Sequence, residues 1–271
     1  MSPPLAAPLL AADGLTRSFQ GLVAVDGLSF QVAPHTIHAL IGPNGAGKTT
    51  LFNLVSGLLP PGGGSLHFQG RDITGLGAHR RAALGMGRTF QNLRMFGGMT
   101  VLENVLTGMH ARLPAGGLAT LLRLPAARAE ERAAIARAEA LLARVGLAGQ
   151  AGRPAGELSY GEQRRLEIAR ALAGDPALLL LDEPAAGMNP TETAELAALL
   201  RQLAAERRTI LLVEHDMGFV MGLCDRVTVL NFGRRIAEGT PAEVRADPAV
   251  VDAYLGARVA RRLMAAAEGA A

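Results

Sequence analysis

The chain has 271 residues, enough for one or two domains, and 49% of them are apolar, which is ample for a packed core and excludes a disordered chain. A formal net charge of +3 is too small to point to nucleic acid. The single cysteine, Cys224, excludes an internal disulfide and a multi-cysteine zinc cluster, and suits a reducing compartment.

Residues 1–12 are apolar but broken by Pro3, Pro4 and Pro8, and they lack a basic n-region, so they read as a loose leader rather than a signal peptide. Residues 15–32 alternate loosely and are punctuated by Gly21 and Gly27, which predicts short antiparallel strands. Residues 37–41 form a compact apolar strand. It runs into Gly42-Pro43-Asn44-Gly45-Ala46-Gly47-Lys48-Thr49-Thr50, and an apolar helix follows to about Leu58. The longest uncharged run, residues 49–70, is interrupted by Pro60-Pro61-Gly62-Gly63-Gly64. That leaves about ten helical residues, half of the roughly 20 a membrane span needs. Residues 65–69 predict an edge strand before a turn at Gly70-Arg71-Asp72.

Thr100 and Glu103 have capping-box spacing and open a helix over 101–109; a long Ala/Arg/Glu helix is expected over 126–145. Residues 92–156 therefore read as a helical insertion. Alternation resumes with a helix over 159–173, a buried strand over 178–181, a helix over 190–206 and strands over 209–213 and 227–230. A helical region, 241–255, and an Ala-rich tail after Arg258 complete the chain. Continuous apolar strands separated by helices imply an α/β fold with a parallel sheet covered on both faces.

Residues 42–49 match G-x-x-x-x-G-K-T between a strand and a helix. Glycines let backbone N–H groups approach phosphates, and the helix N-terminus adds a positive dipole end. Lys48 would reach the β- and γ-phosphates and the Thr49 hydroxyl would ligate Mg²⁺. Lys48 is also the only lysine in a chain that otherwise writes arginine, and a compact ammonium is what this position needs.

Leu178-Leu179-Leu180-Leu181-Asp182-Glu183 places Asp182 at the C-terminal end of a buried strand, where it would hold the Mg²⁺ shell, and Glu183 one residue on, where it would polarise water. An acidic turn after a core strand is the plainer alternative. Ser159-Tyr160-Gly161-Glu162-Gln163 satisfies capping-box spacing and could merely start a helix. The same geometry can serve as an anion site for a nucleotide held by another subunit.

At this point the chain resembles the ABC-type ATPases over about residues 9–255. Leu158-Ser159-Tyr160-Gly161-Glu162-Gln163 looks like their signature motif, with Tyr160 where glycine is commonest. Gln91, in Arg88-Thr89-Phe90-Gln91, resembles the glutamine that touches the metal and moves with the transport subunit; His215 resembles the switch histidine that contacts the γ-phosphate. Phe19 stands where the family places an aromatic under adenine, and Val25 counts with it among the nucleotide-binding positions. The stretch Ala185-Ala186-Gly187-Met188-Asn189-Pro190 departs from the usual Ser/Asp-containing loop, although Asn189 can cap the next helix with Pro190 in its first turn and Glu192 completing a box.

The resemblance implies a P-loop NTPase (RecA-like) core with a parallel sheet, an antiparallel β subdomain and an α-helical, signature-bearing subdomain. It makes residues 9–256 one ABC ATPase domain, with 9–91 and 166–240 as core, 92–165 as helical subdomain and 241–271 as a C-terminal helical extension. It implies catalytic roles for Glu183, His215 and Gln91, and metal contact by Thr49, Gln91 and Asp182. Nucleotide contacts fall on Phe19, Val25, residues 42–50, Ser159, Gly161 and Glu162.

Arg88-Thr89-Phe90-Gln91-Asn92-Leu93, Met99-Thr100-Val101-Leu102-Glu103-Asn104-Val105, residues 182–190 and Ala253-Tyr254-Leu255-Gly256 look together like the LivG type, which energises import of branched-chain amino acids. The partners so implied are a second ABC ATPase subunit (paralogue or self) in a head-to-tail dimer, two membrane permease subunits and, indirectly, a periplasmic substrate-binding protein. Nucleic acid is not among them. The location implied is peripheral, on the cytoplasmic face of a bacterial inner membrane. Relatives serving urea, short amides or lipopolysaccharide export share much of this pattern. A DNA-associated ABC ATPase would need coiled-coil arms or zinc modules, and a two-cassette translation factor would need a second P-loop.

Overall fold

The computed structural model describes residues 7–90, 95–109 and 125–255. Gln91 and the tail after Arg258 lie outside the described residues. The chain groups into two units, Met1–Arg81 with Leu200–Ala271 and Ala82–Leu199, and both boundaries fall inside helices.

In the first unit, β1 (Leu10–Phe19) and β2 (Leu22–Val32) pair antiparallel through Gln20 (φ 45°) and Gly21 (φ 90°). Positive φ at both central residues is the hairpin geometry whose twist matches the flanking strands. The strands run longer than their glycines suggested. Gly27 (φ 59°) does not end β2 but sits at a shift in its register with β1, as a bulge residue does. β4 (Gly63–Phe68) pairs with β1, and the two-residue β5 (Arg71–Asp72) pairs with β4. The edge position expected for residues 65–69 therefore belongs to β5: Gln69 and Gly70, both at positive φ, fold the anticipated turn into one more hairpin.

The same unit holds β3 (Ile37–Ile41), parallel to β8 (Thr209–Val213) on one side and to β9 (Arg226–Asn231) on the other. Every residue of β3 and β8 is buried, which explains why both read as unbroken apolar runs. β10 (Arg234–Gly239) pairs antiparallel with β9 and was invisible in the sequence, because its charged residues show no apolar alternation. His38, on β3, shares a 2.8 Å hydrogen bond with Thr228 Oγ1, and burial pulls its pKa down to about 4. It is a neutral core residue.

The helix after β3 is α1 (Lys48–Ser56), and α2 (Ala78–Ala83) follows β5. Arg81 of α2 is 1% exposed and has five backbone carbonyl partners. It donates to Leu54 O at 2.6 Å, Val55 O at 2.7 Å, Ile73 O at 2.9 Å, Thr74 O at 3.2 Å and Leu76 O at 2.7 Å. Burial pulls its pKa down to about 10, so it stays charged at neutral pH. The charge sits against the last turn of α1, where the helix dipole is negative.

In the second unit, β6 (Met86–Arg88) runs parallel to β7 (Leu178–Asp182). Three helices, α3 (Val101–Thr107), α4 (Pro125–Arg144) and α5 (Tyr160–Ala173), pack on one another. Both expected capping boxes are present, Thr100 with Glu103 on α3 and Ser159 with Glu162 on α5. The next helix, α6 (Pro190–Ala205), starts on a third: the Asn189 N–H meets Glu192 Oε2 and the Glu192 N–H meets Asn189 Oδ1, each at 3.0 Å.

Beyond β8 come α7 (Met217–Leu223), α8 (Pro241–Ala246) and α9 (Pro248–Leu255). The helical region expected over 241–255 consists of two helices, because the residue before Pro248 is driven out of helical conformation: Asp247 has ψ 119°. Among the described residues no helix is long and apolar enough to cross a membrane.

Replacing Arg81 with methionine would leave its carbonyl partners without their charged donor, at about 1–3 kcal/mol for each group left unsatisfied. Arg81→Met should lower unfolding stability by at least ~3 kcal/mol in urea titration, whereas Arg80→Met, on an exposed neighbour, should stay within ~0.5 kcal/mol.

Candidate functional site

The loop from β3 to α1 is shaped by two glycines that no other residue can replace. Gly42 (φ 151°) lies so close to the Leu230 carbonyl of β9 that a Cβ would overlap it, and Gly47 (φ 96°) lies equally close to the Ala24 carbonyl of β2. The loop is also hydrogen bonded to the turn between β9 and β10: the Gly233 N–H donates to Ala46 O at 3.0 Å, and the Asp26 N–H to Gly233 O at 2.9 Å. Strand β2 and the β9–β10 turn thus brace residues 42–47.

Gly47 is the N-cap of α1, in left-handed conformation and with no side chain to bond the first-turn N–H groups; that turn carries no acidic residue. Other helices of this chain begin differently, with Thr100, Ser159 or Thr240 in a box with a glutamate, or with Asp216 accepting from the Phe219 N–H. Lys48, 8% exposed, directs its ammonium into the loop, 2.6 Å from Gly42 O and 3.0 Å from Pro43 O. The arrangement combines an open helix N-terminus with a buried cation, which suits an oligophosphate. The Thr49 hydroxyl, one residue on, is exposed, and Asn44 and Gly45 form the open rim of the loop.

Register places His215 at the same edge. Leu40 of β3 lies opposite Val213 of β8, so Gly42 and His215 each emerge two residues past a paired position. The His215 imidazole is 60% exposed and its Nδ1 is 3.8 Å from the buried Glu214 carboxylate, which also accepts the His215 backbone N–H at 3.1 Å. Glu214 was not foreseen; nothing in Val213-Glu214-His215 distinguishes a buried carboxylate from a surface one. At the β1–β2 hairpin Phe19 is 39% exposed, with the Arg17 guanidinium 5.0 Å from its ring centroid, and Leu22 and Val23 beside it are exposed too. Val25 is fully buried, so its side chain serves the core while Ala24 carries the contact with the loop.

The second unit has its own functional edge. The Thr89 N–H donates to Leu180 O at 2.9 Å, so Thr89-Phe90 and Asp182-Glu183 leave the β6–β7 pair together. Asp182 is buried and its Oδ2 is 3.2 Å from Arg88 Nη2. Burial pushes its carboxyl above the usual range, opposed by the charge and hydrogen bond of Arg88. Glu183 is held at φ 47°, a left-handed conformation that costs a non-glycine residue about 1–2 kcal/mol.

At the signature segment the box fills both of its own positions. Ser159 Oγ accepts the Glu162 N–H at 3.3 Å, and Glu162 accepts the Ser159 N–H at 2.8 Å, which holds the glutamate below its usual pKa. The negative charge offsets the helix dipole, which leaves the Ser159 hydroxyl proton as the polar group that the box does not use. Gly161 is buried, and a Cβ there would overlap the Glu192 carboxylate. That proximity to Glu192, 31 positions away, was not legible in the sequence.

Donor chemistry supports magnesium with a nucleotide. Thr49 in the first unit and Asp182 in the second each carry a hard oxygen donor, and magnesium is ordinarily held by one or two carboxylates together with substrate phosphates rather than by a protein cage. Among the described residues there is no cluster of three His, Cys, Asp or Glu that would form such a cage. Also in the second unit, a groove of ≈ 480 Å³ is lined by Met86, Phe90, Phe96 and Pro176, with two cations, Arg88 and Arg170.

Comparison with known proteins accounts for these features. The ABC transporter family model matches residues 25–186, and a branched-chain amino acid ATP-binding cassette transporter model matches residues 234–260. The high-affinity branched-chain amino acid transport ATP-binding protein LivG of Salmonella typhimurium is 48% identical over 250 residues, covering 92% of this chain and 98% of LivG. BraF of Pseudomonas aeruginosa, with the same description, is 48% identical over the same shares. An ATP-binding cassette of an ABC transporter, solved in its ADP conformation, superposes with TM-score 0.81 at 33% identity and covers 93% of this chain and 100% of that one. The expected α/β P-loop NTPase class and the nucleotide as ligand are thereby borne out. The chain belongs to the ABC transporter family, as an ATP-binding subunit that hydrolyses ATP to drive transport.

Proposed function

We propose that this subunit energises import of branched-chain or other hydrophobic amino acids, and that it works at the cytoplasmic face of an inner membrane. Likeness to LivG and BraF across nearly the whole chain supports the substrate class. The observation that carries the catalytic reading is the bare N-terminus of α1 with the Lys48 ammonium inside its loop.

The N–H groups around Gly45 to Thr50 take the phosphates, and Lys48 exchanges its two carbonyl partners for β- and γ-phosphate oxygens. Phe19 offers a face to adenine. Thr49 and Asp182, with Gln91 as a further contact, would hold a magnesium ion, which would supply positive charge to the phosphates. Asp182 is suited to that role because its carboxylate is poorly hydrated where it stands. Glu183 orients water for attack on the γ-phosphate, and His215, steadied by Glu214, donates to the same phosphate. Ser159 and Gly161 cover a nucleotide held by a neighbouring ATPase subunit, with Glu162 keeping Ser159 in place.

The partners in this reading are a second ATPase subunit, a paralogue or a second copy, and two permease subunits served by a periplasmic binding protein. The helical segment 92–165 and the groove beside Phe90 and Phe96 receive the permease. A trough lined by Met86, Phe90, Phe96 and Pro176 suits the apolar face of an amphipathic helix.

Lys48→Ala should abolish tight Mg-ATP binding in calorimetry; retained micromolar affinity would count heavily against the loop. Glu183→Gln should bind Mg-ATP normally and lose at least ~100-fold in turnover. Because Glu183 is strained, Glu183→Gly should lose turnover equally with no fall in thermal midpoint. Phe96→Asp should leave ATP binding intact yet weaken co-purification with the permease; unchanged recovery of the complex would remove the groove from that role.

A further inference from the structure

Three motifs of the second unit meet on two side chains, Tyr160 and Arg164, which lie one helical turn apart on the same face of α5. The Arg164 guanidinium donates to the Tyr160 hydroxyl from Nε at 3.1 Å and from Nη2 at 2.8 Å, and its carbon stands 5.2 Å from the tyrosine ring centroid. Its Nη1 donates to the Phe90 carbonyl at 2.9 Å, one residue before Gln91, and lies 3.5 Å from Glu167 Oε2. The opposite side of the tyrosine rests on Gly187 (φ 77°), where a Cβ would stand 3.0 Å from Tyr160 Cε1. Gly187 belongs to the turn that begins at Glu183, whose carbonyl accepts the Ala186 N–H at 3.2 Å.

These contacts are stiff for a physical reason. Arg164 is 4% exposed and Glu167 2%. Withdrawing the guanidinium would take from the Phe90 carbonyl its 2.9 Å donor and from the buried Glu167 carboxylate one of its arginine neighbours, another being Arg170, so leaving Phe90 carries an energetic penalty. Its fork donates to a hydroxyl and a carbonyl while standing beside a carboxylate, a geometry that a lysine ammonium on that stem does not reproduce.

We propose that Tyr160 and Arg164 are positioning residues for ATP hydrolysis: together they hold the end of β6 that leads to Gln91, the start of the signature helix and the turn after Glu183 in one fixed relation. Displacement at Phe90 then moves Ser159 and the Glu183 turn with it. Tyrosine at position 160 supplies both the acceptor for Arg164 and the ring that seats Gly187, neither of which glycine could offer.

The proposal rests on the ATPase reading, and steady-state Mg-ATP hydrolysis by the full-length chain tests the two separately. Tyr160→Phe, which keeps the ring and removes the acceptor, should lower kcat about tenfold with KM within about twofold and the thermal midpoint unchanged. Arg164→Lys should lower kcat to a similar degree, and joining it to Tyr160→Phe should cost little more. In a double-mutant cycle with Gln91→Ala, the combined loss should be well below the product of the single losses. Wild-type kcat in Tyr160→Phe would overturn the proposal, as would losses that multiply independently with Gln91→Ala, or a loss that merely tracks a lowered thermal midpoint. A wild-type chain that does not hydrolyse Mg-ATP would overturn the ATPase reading as well.

Discussion

Everything functional in the first unit depends on presenting a helix N-terminus with its N–H groups uncovered. That is an expensive feature in a folded protein, because those groups are ordinarily satisfied by a cap worth about 1 kcal/mol. The chain shows the ordinary solution at α3, α5, α6 and α8, each closed by a box with a glutamate. At α1 it places Gly47 instead and then adds a lysine at the positive end of the helix dipole, where a cation is unfavourable. Two local choices thus oppose stability at the same point, and both serve a polyanion.

The compensation is distributed through the rest of the unit. The Lys48 ammonium is met by two carbonyls of its own loop, and the loop is pressed against Ala24 and Leu230 by glycines that admit a close approach. Gly233 holds Ala46 while itself held by Asp26. At the other end of α1, Arg81 gathers Leu54 and Val55 together with the segment from Ile73 to Leu76. A cation at the C-terminal turn has the favourable sign. The helix is therefore clamped at both ends, which keeps its bare N-terminus aimed while phosphates enter and leave.

What could be read from the sequence follows from the range of the interactions. The phosphate loop, the capping boxes and the buried strands are encoded within a few residues of themselves. Spacing alone found Gly42, Gly47 and Lys48, as well as the pairs at Thr100, Ser159 and Asn189. Arg80 and Arg81 are adjacent and identical in type, and only contacts with residues up to 27 positions away make one a surface charge and the other the plug of α1. Arg88 was quoted as part of a motif, but its pairing with Asp182 spans 94 positions. Strand β10 escaped notice because strand patterning registers alternation of apolar residues, and this strand is charged and backbone-paired. Val25, a nucleotide-binding position by family resemblance, has its side chain in the core, which no local pattern in the sequence announces.

In the second unit two departures from the common family pattern meet in space. The residue at 160 is large where the family is commonly small, and the turn at 185–190 is built from Ala, Gly and Met where Ser and Asp are usual. The Tyr160 ring lies over Gly187, where even a methyl group would have to displace it. A polar side chain at 187 would therefore clash with the tyrosine, and a glycine at 160 would leave that turn without its apolar seat. The same reciprocity holds one residue along, where Gly161 admits the Glu192 carboxylate that caps α6 with Asn189. The signature helix and the turn after Glu183 have been fitted to each other as a pair. A larger residue at 187 therefore presses on the tyrosine ring, and the two departures meet at a single contact.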